Sequence, residues 1–245
     1  MMPQWQRGIM RALRIPSHKV TVCGVEDVTS HYRRVTFSAP ELMASTSFFP
    51  THWLRLWVED AARGGTLVQR GYTFTEVNVD AGTFALELVM HDTEGPAMDW
   101  ARKVAVGDIC EVSLTPKEVK LPPHVTRLVL AGDLTALPAI NSWLLALPDS
   151  MTIDVFLEDE HSDIHLLPQV HHPGTQWHWL TPGGPRGQAL SQAVSKVEGG
   201  TDLFLWAAGE KGLIKRIREV AREDLGLAKT QYYSQFYWIE GKRFG

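Results

Sequence analysis

What most restricts the fold of this chain is a change of texture at Pro122-Pro123. Upstream, short β-branched and aromatic runs follow one another at residues 20–28, 32–38, 53–59, 71–78, 83–90 and 108–114. Turn signals punctuate them: Gly64-Gly65, Asp80-Ala81-Gly82 and Gly107-Asp108. In the run 83–90, Phe84, Leu86, Leu88 and Met90 share one face, and Ala85, Glu87 and Val89 the other. Six such strands predict an antiparallel β-barrel. Downstream, single apolar strands at 128–131, 153–157, 177–180 and 203–208 alternate with helical patterns. One helix starts near Ala136, and another covers 211–225 with Ile214, Ile217, Val220 and Ala221 on one stripe. This is the βαβ texture of a nucleotide-type parallel sheet. The chain is therefore expected to hold two domains, a barrel over 1–122 and an α/β domain over 123–245.

With 44% hydrophobic and 21% charged residues, the 245-residue chain has a globular composition, not a disordered or repetitive one. A net charge of −4 gives a phosphate backbone no general attraction, so nucleic acid is not the expected partner. Cys23 and Cys110 are far apart and fit neither a disulfide framework nor a CxxC zinc cluster, which points to a cytoplasmic setting. The first sixteen residues carry basic side chains but lack the apolar run of a secretory signal. The stretch 134–147 is interrupted by Pro138, Asn141 and Ser142 and is too short for about 30 Å of hydrocarbon, so no membrane insertion is expected.

Several passages can carry chemistry. RGYTFT at 70–75 puts Arg70, Tyr72 and Thr73 on one strand, where they can fork onto a phosphate, cover a flat ring and hydrogen-bond its edge. An Arg and a Tyr on a half-exposed strand are also ordinary. In HDTEGPAMDWA, the Gly95-Pro96-Ala97 step opens a helix whose start can take an anion such as a pyrophosphate. His91 at its head equally suits a satisfied strand end. AGDLTALPAI at 131–140 is a strand–turn–helix passage without either dinucleotide fingerprint. GGPRG at 183–187 reads as a surface loop, since Pro185 and the missing Lys-Ser/Thr argue against a phosphate cradle. Five of ten histidines, His161, His165, His171, His172 and His178, fall in one segment. Pro168 and Pro173 break any helix that would align them, so a solvated loop without metal is expected.

Taken in order, these passages resemble the siderophore-interacting protein family, flavin-dependent ferric-siderophore reductases, over residues 18–241. RGYT is similar to the family's R-x-Y-T flavin motif, and HDTEGPAMDWA to H-G-x-G-P-A-x-x-W-A. LAGDLTALPAI is similar to L-A-G-D-E-T-A-L-P-A-I, WAAGE to W-x-A-G-E, and FYWIEG to G-Y-W-R-x-G. The resemblance implies a ferredoxin-reductase-like architecture, with an FAD-binding barrel followed by an NAD(P)H-binding-like α/β domain. It implies cofactor contacts at Arg70, Tyr72, Thr73, His91, Gly95, Pro96, Ala97, Asp133, Thr135, Ala136, Ala208, Gly209, Glu210 and Trp238. Departures fall at Thr75, Asp92, Leu134, Ser142 and Ile239, several of them at positions where the family tends to be basic. The cations left to receive an anionic chelate are Arg55, Lys242 and Arg243, fewer than usual, which predicts tolerance for less charged hydroxamates.

The implied activity passes electrons from NADPH, NADH or reduced ferredoxin through FAD to a ferric siderophore, releasing iron(II). A flavin converts a two-electron donor into a one-electron one, and no protein acid or base is required, so no catalytic side chain is assigned. A monomer is expected. Two rival readings stay open: a flavin reductase of this fold serving another acceptor, and a non-enzymatic ferric-chelate binding protein.

Overall fold

The computed structural model describes residues 16–114 and 117–241. The chain divides between Glu118 and Val119 into two compact units.

The first unit is one antiparallel sheet of β1 (Ser17–Thr29), β2 (Tyr32–Ser38), β3 (Trp53–Asp60), β4 (Thr66–Thr73), β5 (Thr75–Asn78), β6 (Thr83–Val89) and β7 (Ile109–Leu114). Its order is β4-β3-β7-β1-β2-β6-β5. It has seven strands where the sequence pattern predicts six, because the run 71–78 is two strands that change partner at Phe74. Thr73 pairs with Trp53 on β3, whereas Thr75 pairs with Ala85 on β6. β4 and β5 are thus the two edges of the sheet, joined through a single residue. Two residues of extended chain span at most about 7 Å, so the sheet curls and its two edge strands come close at that point. Phe74 sits buried at that seam, donating its N–H to the His52 carbonyl at 3.0 Å and packing edge-on to Phe84.

Inside the roll, Val20, Val22, Val35, Phe37, Leu54, Leu56, Leu86, Leu88 and Val112 form the core. The opposite face of β6 is buried too. There Glu87 accepts from the Tyr32 hydroxyl at 2.9 Å and from Arg34 Nη2 at 2.9 Å, so alternation reports a paired carboxylate rather than solvent. Two helices complete the unit, α1 (Pro40–Ser45), which the sequence pattern did not show, and α2 (Pro96–Lys103).

The second unit is a five-stranded parallel sheet of β8 (Arg127–Asp133), β9 (Thr152–Glu158), β10 (Thr175–Leu180), β11 (Leu203–Glu210) and β12 (Tyr232–Trp238), ordered β10-β9-β8-β11-β12. Its helices are α3 (Leu137–Ala146), α4 (Gln188–Val194) and α5 (Lys211–Glu219). Every residue of β11 is buried, as expected of a central parallel strand covered on both faces. α5 buries Ile214 and Ile217, and a π-helical turn, Val220–Asp224, carries the same stripe on through Val220 and Ala221. β12 and α4 lie outside the predicted pattern; β12 is a half-exposed edge strand and has no continuous apolar run. In the His-rich segment, His172 is buried and its Nδ1 accepts from the Gly174 N–H at 3.2 Å. His178 Nε2 lies 2.9 Å from Asp154 Oδ1. Among the described residues no helix is long and apolar enough to cross a membrane.

Candidate functional site

Residues directly opposite in an antiparallel pair point to the same side, so the β3–β4 register assigns faces. Arg70 lies opposite Leu56 and Tyr72 opposite Leu54, which puts Arg70 and Tyr72 on one face. Thr73, opposite Trp53, is on the other. Arg70 is partly buried, and among the described residues its side chain makes one hydrogen bond, Nη1 to the Gln69 carbonyl at 2.7 Å, and no salt bridge. Desolvation lowers its pKa from the usual value, with Tyr72 and the Asp60 carboxylate, which makes no direct salt bridge to it, acting in the opposite direction. Removing a guanidinium from water without a carboxylate partner is costly, and an anion brought to it repays that cost. The Tyr72 hydroxyl is pushed up to about 12 by burial, so it stays protonated at any physiological pH.

The start of α2 adds a second anion-friendly element. Pro96 occupies its first turn, no side chain caps it, and a Cβ built on Gly95 would meet nothing within 4 Å. Pro96 and Ala97 are buried, and α2 packs against β3, the strand paired with β4. His91 is exposed on the loop before it, and its carbonyl accepts from Arg102 Nη2 at 2.7 Å. Arg55 stands on the Thr73 face, its guanidinium 4.5 Å from the Trp53 ring centroid. That indole covers Gly71 so closely that a Cβ there would lie 3.3 Å from it. Lys242 and Arg243 lie outside the described residues.

One buried group in this unit has no counterpart in the motif reading. His52 is 3% exposed, both ring nitrogens lack a partner among the described residues, and Phe49 stacks on it at 4.2 Å with Phe74 at 5.2 Å. Burial lowers its pKa to about 4.

In the second unit the motif residues converge on the carboxyl edge of the sheet, where open α/β sheets place ligands. Gly132 pairs with Ala208, and a Cβ at Gly132 would lie 2.2 Å from the Ala208 carbonyl oxygen, so the close approach of β8 to β11 requires glycine. Gly209 has φ of +145°, and a Cβ there would lie 2.7 Å from Asp133 Oδ2. Asp133 is buried and accepts from the Thr135 N–H at 3.0 Å, the Thr135 hydroxyl, the Glu210 N–H at 2.7 Å and Trp238 Nε1 at 2.9 Å. Burial raises its pKa while these bonds act against the rise. Glu210 is buried as well and accepts from Gly212 N and Leu213 N at the start of α5, and from Glu240 N at 3.2 Å. Thr135 and buried Ala136 form a short 3-10 turn ahead of α3. The structure therefore joins Asp133, Thr135, Gly209, Glu210 and Trp238 in one network, in which the two carboxylates fix strand ends and helix starts.

Residues 57–118 match the family model for the siderophore-interacting FAD-binding domain, and residues 125–241 match that for siderophore-interacting protein. The chain belongs to the siderophore-interacting protein family. It is 32% identical, over 98% of its length, to the mycobactin import ATP-binding/permease protein IrtA of Mycolicibacterium thermoresistibile, of which it spans 27%. It therefore covers about a quarter of the length of the first curated relatives it matches. It is 27% identical to the ferric vibriobactin reductase ViuB of Vibrio cholerae, over 71% of this chain and 66% of that one. Among solved structures, siderophore-interacting protein SipS from Aeromonas hydrophila matches with a TM-score of 0.81 at 23% identity, covering 93% of each chain. A ferredoxin NADP+ reductase from Neisseria gonorrhoeae, with bound FAD and NADP, matches with a TM-score of 0.66 at 14% identity over 91% of this chain and 99% of that one. These two likenesses extend the family fold to the ferredoxin-reductase-like architecture.

The sequence reading missed His52, whose seclusion depends on three phenylalanines being brought together. It also missed Glu158, a buried acid at the end of β9 that accepts from Gly187 N at 2.8 Å and Leu190 N at 3.3 Å across 29 and 32 residues of chain.

Proposed function

We propose that this protein is an FAD-dependent ferric-siderophore reductase drawing electrons from NADPH, NADH or reduced ferredoxin. The observation that carries the reading is Arg70: a desolvated cation with no direct salt bridge among the described residues, on the same strand face as Tyr72, inside the segment that matches the family's FAD-binding domain. Those features fit a flavin dinucleotide, whose pyrophosphate needs a cation and whose ring needs a flat apolar neighbour. The names of the V. cholerae relative, a ferric vibriobactin reductase, and of the IrtA relatives support an iron-chelate substrate.

In this reading Arg70 and the start of α2 hold the pyrophosphate and Tyr72 covers the ring, with His91 at the mouth, while Thr73, on the other face of β4, does not share that surface. FAD supplies the conversion between a two-electron donor and a one-electron acceptor. One reduced nicotinamide and two ferric centres give one oxidised nicotinamide, one proton and two ferrous centres. Catecholate and hydroxamate oxygens are hard ligands that hold iron(III) far better than iron(II), so the added electron loosens the chelate. The second unit's network at Asp133, Thr135, Ala136, Ala208, Gly209, Glu210 and Trp238 shapes the carboxyl edge where the donor docks. Arg55 supplies positive charge for an anionic chelate in a protein of net charge −4, and Lys242 and Arg243 are further candidate cations of the sequence. The protein works as a cytoplasmic monomer.

Arg70→Ala tests the site. The variant is expected to fold and to lose flavin affinity by about ten- to a hundredfold, the worth of a charge-assisted hydrogen bond. Full flavin occupancy after gel filtration of the variant would overturn the assignment.

A further inference from the structure

Three helix starts face the carboxyl edge of the parallel sheet, and each is already served by a carboxylate of the chain itself. Asp133 takes the Thr135 N–H, Glu158 takes those of Gly187 and Leu190, and Glu210 takes those of Gly212 and Leu213. A dinucleotide's phosphate, which in open α/β sheets sits on such backbone groups, meets fixed negative charge there. A side-chain cation has to replace them.

Arg186 is placed for that task. It belongs to the exposed Gly183-Gly184-Pro185 loop after β10, the passage that reads from sequence as an ordinary surface turn. Its guanidinium lies over Trp238, 5.0 Å from the ring centroid, and the same indole is pinned from its edge by Asp133. Its Nε is buried and has no hydrogen-bond partner among the described residues. Its Nη2 reaches one carboxylate, the exposed Glu240, at a loose 3.7 Å. The fork is oriented by an aromatic shelf and left short of acceptors, while a Cβ on Gly183 would meet nothing within 4 Å. An aromatic shelf under a planar cation pre-orders it for bidentate phosphate binding.

We propose that Arg186, held on Trp238, anchors a phosphate of a reduced nicotinamide dinucleotide and so sets the affinity for the electron donor. This rests on the nicotinamide arm of the reductase reading and adds the residue that selects it. Isothermal titration of the flavin-loaded protein with NADP+ and, in parallel, NAD+ tests it without turnover. Arg186→Ala is expected to weaken binding about ten- to a hundredfold, and Arg186→Lys, a point charge without the fork, to restore only part of it. Glu240→Gln, which removes the competing carboxylate, is expected to tighten binding. Loss confined to NADP+ assigns the 2′-phosphate, and equal loss for both assigns the pyrophosphate. In steady state the Arg186→Ala defect is expected in KM for NADPH rather than in kcat, with the visible flavin band retained. Unchanged binding in a folded Arg186→Ala protein would overturn the proposal, as would a flavin-loaded wild type that binds neither nucleotide and accepts electrons from reduced ferredoxin alone. A colourless wild type whose NADP+ binding still depends on Arg186 would fail the reductase reading and keep this one.

Discussion

Asp133→Ala removes the acceptor on which the ends of β8, β11 and β12 converge. The carboxylate receives the Thr135 N–H and hydroxyl on Oδ1, and the Glu210 N–H and Trp238 Nε1 on Oδ2. Thr135 is half-buried and its donors can turn to water, but Glu210 is buried and the Trp238 indole is only partly exposed. Two stranded donors at about 1–3 kcal/mol each give roughly 2–6 kcal/mol. Relief of the carboxylate's own burial offsets some of that, so a loss of about 3 kcal/mol is expected, within the range for breaking a buried charged network. Asp133→Asn separates the explanations. A carboxamide presents one oxygen and one NH2, so one of the two donor pairs faces another donor, and Asn is expected to be about as damaging as Ala. Urea unfolding at neutral pH, with linear extrapolation, measures both variants. A loss below about 1 kcal/mol for Ala, or wild-type stability for Asn, would refute the claim that both oxygens are working acceptors.

Burial holds His52 at a pKa of about 4 against an ordinary 6.5, so the folded protein disfavours the imidazolium. The unfolded chain then binds the extra proton first: stability is complete above pH 6.5 and falls as pH drops toward 4, by about 3 kcal/mol from this residue. His52→Leu is expected to flatten that acid limb in urea titrations, and a limb identical to wild type would count against it. Gly132→Ala places a methyl 2.2 Å from the Ala208 carbonyl and is expected to cost several kcal/mol or to abolish folding, and a thermal midpoint within a degree or two of wild type would show that the strands can part. Reduction of a ferric catecholate is expected to slow with rising salt and in Arg55→Ala, while a ferric hydroxamate changes little; equal behaviour of the two chelates would leave shape as the selector.

The two textures on either side of Pro122-Pro123 correspond to the antiparallel and parallel sheets because each strand type writes its burial into its own residues. β11 is apolar from Leu203 to Ala208 because both faces are covered, and β1 alternates at Val20 and Val22 because one face is. The division of 71–78 at Phe74 was hidden, since the two halves share one composition and differ only in the distant strand each pairs with. The same holds for the acids. Asp133 and Glu210 stood out as motif letters, but a motif does not tell a ligand contact from an internal cap, and that difference lies in the 77-residue reach of the Glu210 N–H to Asp133. Arg186 sits in the GGPRG passage, which reads as a surface loop because its partner Trp238 lies far along the chain.

The central claim is tested most directly by an anaerobic single-turnover experiment on the purified protein. The flavin is reduced with one equivalent of NADPH or two of a one-electron reduced ferredoxin, mixed with a ferric siderophore, and followed through its visible band while a ferrous-specific chelator reports iron(II). A reductase returns the oxidised flavin band and yields two ferrous ions per flavin at matching rates. A reduced flavin band that persists in the presence of the chelate, or a protein that binds the ferric chelate and carries no flavin, would contradict the account.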